Sequence, residues 1–216
     1  MSTAGPNSPS TAADDASVGS ITWTNVNNSK ALDGVFASAA NVNAANGSHW
    51  LKETGFGFSI PAGSTINGIK VTVAAKLTAE SGTGSFFSGV KLVIGGTISG
   101  NETTGFGFSS TVVSTNDYGS SSALWGLTPS VSDVNGATFG CVFRYGPLTS
   151  TLQETCNVDQ ITITVTYTAA VTGYKNLPLL GVGLINTLIH GLTLGLCSWR
   201  WRPFTRTQTR TAGVMA

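Results

Sequence analysis

The stretch Asp159–Thr168, DQITITVTYT, places Ile161, Ile163, Val165 and Tyr167 on one side and Thr162, Thr164 and Thr166 on the other. Side chains of a strand alternate between two faces, so this pattern makes one apolar and one polar face in extended chain. A helix would scatter the same residues around its circumference. NGIKVTVAAK repeats the pattern with Ile69, Val71, Val73 and Ala75 against Lys70, Thr72 and Lys76. ATFGCVFRYG aligns Phe139, Cys141, Phe143 and Tyr145, and GVKLVIGG aligns Val90, Leu92 and Ile94. Weaker strands are predicted for SITWT, DGVFASA, SHWLKET and FSSTVVS.

These segments amount to about eight or nine short strands separated by turn residues, and no helix of ordinary length precedes residue 175. The composition agrees: 10% of residues are charged, 27 are glycine, and Val, Ile, Thr and Phe supply the strand formers. The predicted fold is all-β, a jelly-roll-like antiparallel β-sandwich. Pro61-Ala62-Gly63 and Asn67-Gly68 mark a tight connection before the Ile69 strand. Ser114–Gly136 reads as a long loop. Within it, Thr128-Pro129 is expected to start one helical turn and Asn135-Gly136 to stop it.

The hexapeptide TGFGFS occurs twice, as Thr54–Ser59 and Thr104–Ser109. A phosphate-binding glycine loop needs G-x-G-x-x-G between a strand and a helix, and no helix follows either copy. In extended chain Phe56, Phe58 and Ile60 share a face, as do Phe106 and Phe108. The hexapeptide is therefore predicted to supply core. The expected core is Phe56, Phe58, Ile60, Ile69, Val71, Val73, Phe106, Phe108, Phe143, Ile161, Ile163 and Val165.

No catalytic or metal site is expected, and no cofactor. The two histidines, His49 and His190, cluster with no cysteine at zinc-site spacing. Cys141 alternates with Phe139 and Phe143 and reads as a small core residue, whereas Cys156 falls in a turn region. Asp33, Asp117, Asp133 and Asp159 stand beside Gly, Asn or Gln and read as turn caps. A calcium site from Asn116, Asp117, Asp133 and Asn135 is conceivable, without the spacing of a calcium loop. Neither catalytic nor nucleic-acid chemistry is predicted. The N-terminal segment lacks the basic and apolar regions of a signal peptide, and three cysteines make no disulfide framework, so synthesis in a reducing cytoplasm is expected.

Charge divides the chain. After Asp159 there is no acid, but five bases follow: Lys175, Arg200, Arg202, Arg206 and Arg210. Three segments result. Residues 1–20 read as a flexible arm, 21–172 as the sandwich, and 173–216 as an apolar, basic C-terminal arm, extended or partly helical. In that arm Leu180, Leu184, Leu188, Leu192 and Leu196 recur every fourth residue. The uncharged stretch Leu179–Ser198 has the length of a membrane span, but Asn186, His190 and four glycines weigh against one. A docking arm is the preferred reading. Trp199, Trp201 and Phe204 would fill pockets, Arg200, Arg202, Arg206 and Arg210 would pair with carboxylates, and binding would shelter Leu180, Leu184 and Leu188.

The runs SITWTNVNNSKALDGVFASA, HWLKETGFGFSIPAGSTINGIKVTV, YGSSSALWGLTPSVSDVNGATFGCVFRY and VDQITITVTY resemble small β-sandwich virion proteins of tailed bacteriophages. The pattern x-L-K-x-x-G-F-x-I-P-x-x-x-x-I-x-G-I-x-V is met by Leu51, Lys52, Gly55, Phe58, Ile60, Pro61, Ile66, Gly68, Ile69 and Val71. Leu124-Trp125-Gly126, Thr128-Pro129 and Asp133-Val134-Asn135 supply its later elements. The resemblance implies a structural part of a virion: a capsid cement or decoration protein, or a tail or fibre module binding host glycans through loops such as Ser114–Gly136. The implied partners are the major capsid protein or other virion subunits and further copies of the chain, as a dimer or trimer. The implied location is the virion.

Overall fold

The alternating run at Asp159–Thr168 lies within the longest strand, and one of two sheets is built around it. The computed structural model describes residues 1–43, 45–78, 86–106, 108, 110–147 and 153–170, with backbone alone at 86, 106 and 147. The described residues belong to the compact unit Met1–Val171. The arm 173–216, with every docking residue placed on it, lies outside them.

The strands are β1 (Ser2–Asn7), β2 (Thr11–Asp15), β3 (Ala37–Val42), β4 (Trp50–Thr54), β5 (Thr65–Leu77), β6 (Phe86–Ile94), β7 (Thr97–Phe106), β8 (Ser114–Gly119), β9 (Gly140–Pro147) and β10 (Glu154–Thr168). A 3-10 turn spans Val26–Ser29 and one helical turn, α1, spans Val131–Val134. In the first sheet β10 pairs with β5 from Cys156 opposite Leu77 to Thr168 opposite Thr65. The other edge of β10 is shared end to end. β1 takes the Ile163–Tyr167 part and β3 the Glu154–Val158 part. β8 borders β5. The second sheet runs β2-β4-β9-β6-β7. Every strand pairing among the described residues is antiparallel, and the fold is the all-β sandwich expected.

The inward faces meet in one core. Ile69, Val71 and Val73 of β5 and Ile161, Ile163 and Val165 of β10 pack in the same cluster as Val90, Leu92, Cys141, Phe143 and Tyr145 of the second sheet. Full burial of such a side chain contributes about 1.5–3 kcal/mol. Phe56, Phe58, Ile60, Phe108 and Phe143 are buried as predicted. The Phe106 side chain lies outside the described residues.

Several expectations are corrected. Residues 1–20 are not a free arm, because β1 edges one sheet and β2 the other. Neither strand carries an apolar alternation. They are held as edges by backbone hydrogen bonds, which Gly5 and Pro6 tolerate at a sheet margin. Ser114–Gly119 is strand rather than loop, and β7, although rich in polar residues and glycine, pairs with β6. SITWT makes only isolated bridges, Ile21 to Ser48 and Thr24 to Ser38, and of the described residues of FSSTVVS only Ser114, the first residue of β8, is strand. Cys156 and Asp159 are buried within β10, not in turns. The predicted helical turn is present, with its cap at Ser130 instead of Thr128. Asp133 N–H donates to Ser130 Oγ and Ser130 N–H donates to Asp133 Oδ2, a reciprocal capping box.

The two copies of TGFGFS differ in backbone. The second ends β7, where Gly105 pairs with Ser88. The first leaves β4 and is not strand, because Gly55 and Gly57 take left-handed φ of 75° and 65°. Phe56, Phe58 and Ile60 still all enter the core. Partners outside a ladder hold this segment. Gly55 N–H donates to Phe139 O, Asn7 Nδ2 donates to Phe56 O, and Asn135 brackets Ile60.

Candidate functional site

Strand parity on β4 determines which of its groups face inward. Leu51 and Glu53 point into the sandwich and are fully buried, while Lys52 points out. Glu53 Oε1 is hydrogen-bonded to Ser29 Oγ at the end of the 3-10 turn, and Ser29 Oγ also lies 2.6 Å from Val26 O. Glu53 Oε2 has no hydrogen-bond partner among the described residues. Burial holds the Glu53 carboxyl well above its ordinary range, against smaller opposing effects of Ser29 and Lys30. Cys141 lies directly across the ladder on β9. Burial first, and Glu53 second, push its thiol well up, so it is a protonated interior group rather than a nucleophile.

Just before β4, His49 Nδ1 lies 2.8 Å from Asp14 Oδ2 on β2. The other oxygen of Asp14 accepts the Trp23 N–H at 2.8 Å, and His49 O accepts Trp23 Nε1–H at 2.8 Å. This pair ties β2, the Trp23 segment and β4 together. The nearby Ser48 hydroxyl donates to His49 O and accepts Tyr145 N–H, so it is committed to backbone and not poised against the imidazole. Among the described residues no Cys–His pair is assembled, since Cys141 faces Glu53 inside the sandwich and His49 pairs with Asp14 at the β2 edge. Among the described residues no group of three or more His, Cys, Asp or Glu could hold a metal ion.

Three of the four candidate calcium ligands, Asp117, Asp133 and Asn135, are committed to other tasks. Asp117 on β8 accepts from Lys70 Nζ at 2.9 Å and from Thr72 Oγ1 at 2.5 Å. Burial raises its carboxyl, but those two partners outweigh it and the net shift is downward. Asp133 caps α1, and Asn135 holds Ile60. Asp33 does cap a turn, accepting Val35 N–H, whereas the buried Asp159 accepts the N–H groups of Asp33 and Gly34 from across the fold.

The outer face of the second sheet carries a feature that alternation alone does not reveal. Arg144 forms a two-pronged pair with Glu102, at 2.8 Å through Nε and 3.0 Å through Nη2. Its guanidinium also lies 5.2 Å from the Trp50 ring and 4.9 Å from the Phe87 ring. Trp50 packs there with Val93 and Val142. An open hollow of about 330 Å³ is lined by Ser64, Thr65, Ile66, Leu124, Thr128 and Pro129, and bears no charge. The aromatics of the Ser114–Gly136 segment turn inward: Tyr118 is buried, and Trp125 is buried with Nε1 donating to Ile69 O at 2.9 Å.

The described carboxylates form an inventory that sequence could not supply. Glu53, Glu154 and Asp159 are buried. Asp14, Asp15, Glu102 and Asp117 are paired with His49, Lys52, Arg144 and Lys70. Asp33 and Asp133 accept from backbone N–H groups. The tenth acid, Glu80, lies outside the described residues. No helix among the described residues is long and apolar enough to cross a membrane. No family model, curated protein or solved structure matches this chain.

Proposed function

We propose that this chain is a non-enzymatic structural protein of a bacteriophage particle, a cement or decoration protein whose sandwich sits on the capsid shell and whose residues 173–216 fasten it there. Its partners are the major capsid protein and further copies of itself. The observation that carries the reading is the carboxylate inventory. Every described acid is buried, salt-bridged or bonded to backbone; Asp33 and Asp117 stay exposed, but the described body offers few carboxylates without a partner to Arg200, Arg202, Arg206 and Arg210. Those cations, with Trp199 and Trp201 among them, are suited to a surface on another molecule. The residues behind the phage resemblance give further support as scaffold elements. Leu51, Phe58, Ile60, Ile66, Ile69 and Val71 are core, and Trp125 is bonded to the β5 backbone. The glycan-binding alternative draws less support, because Trp125 and Tyr118 are turned into the core and not offered as stacking platforms.

The test is attachment to purified particles lacking the protein. Full-length chain is expected to bind in many copies per particle, and chain ending at residue 171 is expected not to bind. Replacing the four arginines by Gln should weaken binding and flatten its salt dependence, because screening acts over about 8–10 Å. Replacing Trp199 and Trp201 by Ala should weaken binding with little change in salt dependence. Full occupancy by the shortened chain would eliminate the anchor, and a copy number of only a few per particle would favour a tail location.

A further inference from the structure

Proton counting at Ser29 decides the state of a buried group. The Ser29 hydroxyl has one proton and contacts two oxygens, Val26 O at 2.6 Å and Glu53 Oε1. If Glu53 were a carboxylate, one of these close oxygen pairs would have no proton between its members. Oε2 would in addition carry charge, fully buried, with no donor among the described residues. An uncompensated interior charge costs several kcal/mol. A carboxylic acid removes both conflicts: Glu53 O–H donates to Ser29 Oγ, and Ser29 O–H donates to Val26 O.

The surroundings provide no compensating cation in contact. Titratable and charged groups on the packed elements are Lys30 after the 3-10 turn, Asp14 and Asp15 on β2 with their partners His49 and Lys52, Cys141, Arg144 and Tyr145 on β9, and Glu154, Cys156, Asp159 and Tyr167 on β10; the cations Lys52 and Arg144 pair with Asp15 and Glu102. Lys30 Nζ is directed to Ser10 O at 3.4 Å, and no ion pair among the described residues includes Glu53. Cys141 is neutral, Asp14 is engaged by His49 and Trp23, and Asp159 holds the Asp33–Gly34 backbone.

We infer that Glu53 is a neutral carboxylic acid in the folded protein at neutral pH, that its proton joins the Val26–Ser29 turn to β4, and that folding therefore takes up a proton and is weakened by alkali. The sign follows from linkage. A carboxyl that ionises near its ordinary value of about 4.3 when unfolded, but later when folded, favours the fold fully only below that value. Its contribution declines as pH rises, until the folded group also ionises.

The experiment compares full-length wild type with Glu53→Gln, whose amide can donate to Ser29 Oγ without titrating, by urea unfolding from pH 4 to pH 9. Other titrating groups are common to both chains, so the ratio of their folding constants isolates position 53. That ratio is expected to be flat near pH 4, to rise up to tenfold per pH unit above about pH 5 in favour of Gln, and then to level off. A ratio independent of pH between 5 and 8 would overturn the inference. A second measurement needs no variant: in full-length wild type labelled with ¹³C-glutamate, the Glu53 carboxyl resonance at pH 7 is expected at the protonated position, and a carboxylate position there would equally overturn it.

Discussion

The side-chain amide of Asn135 closes on the backbone of one residue, Ile60: Oδ1 accepts the Ile60 N–H and Nδ2 donates to Ile60 O, each at 2.9 Å. One side chain thus replaces the strand partner that the first GFGF segment lacks. Asn135→Ala leaves a partly buried donor and acceptor unmet, and should lower stability by about 1–3 kcal/mol in urea unfolding. An unchanged midpoint would mean that the Ile60 backbone does not depend on this amide.

The contrast between the two GFGF copies predicts unequal tolerance. Gly57 has open space around its missing Cβ but a φ of 65°, so Gly57→Ala should cost about 1–2 kcal/mol through backbone strain, and Gly57→Asn less. At Gly105 an added Cβ would lie 3.2 Å from Tyr118 Cε1, in ordinary strand backbone. Gly105→Ala carries no φ strain, but the buried Tyr118 ring must give by a few tenths of an ångström, so its cost should stay near or below about 1 kcal/mol. Thermal midpoints in the reverse order would contradict the assigned conformations.

Phe58 meets Phe139 edge to face, with ring centroids 5.8 Å apart and planes at 67°. Phe58→Ala should cost about 3–5 kcal/mol of unfolding free energy, the range for emptying a buried aromatic site. A loss near zero would reopen a ligand-loop role for the segment.

Removing residues 1–15 strips an edge strand from each sheet and deletes Asp14, the partner of His49 and of the Trp23 N–H. The shortened chain should melt at a clearly lower temperature and tend to self-associate through the uncovered edges of β10 and β4. A melting curve superimposable on that of full-length protein would restore the flexible-arm reading.

The capping box should show in acid. The Ser130 hydroxyl and N–H hold the Asp133 carboxyl below its usual range, so its contribution is present above the unfolded value and is lost as pH falls through the folded one. Asp133→Asn should cost up to about 1 kcal/mol at neutral pH, and its difference from wild type should shrink as pH falls below about 4. A constant difference over that interval would show that the carboxylate charge contributes nothing.

What the sequence determined by itself is the interior of the sandwich. In β5, β6, β9 and β10 most inward residues are apolar, with Ser88 on β6 and Glu154 on β10 as buried polar exceptions, so burial leaves a two-residue period in the letters. Parity then identifies Ile69, Val71, Val73, Phe143, Ile161, Ile163 and Val165 as core. The same parity, continued from Leu51, makes the inward direction of Glu53 legible, though not Ser29 as its partner. Tertiary structure alone decided the margins. β1, β2 and β8 are recruited through N–H and C=O groups that every sequence carries in nearly the same form, so edge pairing leaves little mark on residue type. It also decided the two conformations of TGFGFS, because identical residues follow whichever hydrogen-bond partners lie beside them: β6 for one copy, and Phe139, Asn7 and Asn135 for the other. The protonation of Glu53 belongs to the same class, since a carboxyl takes its charge state from the burial and the neighbours that folding assembles around it.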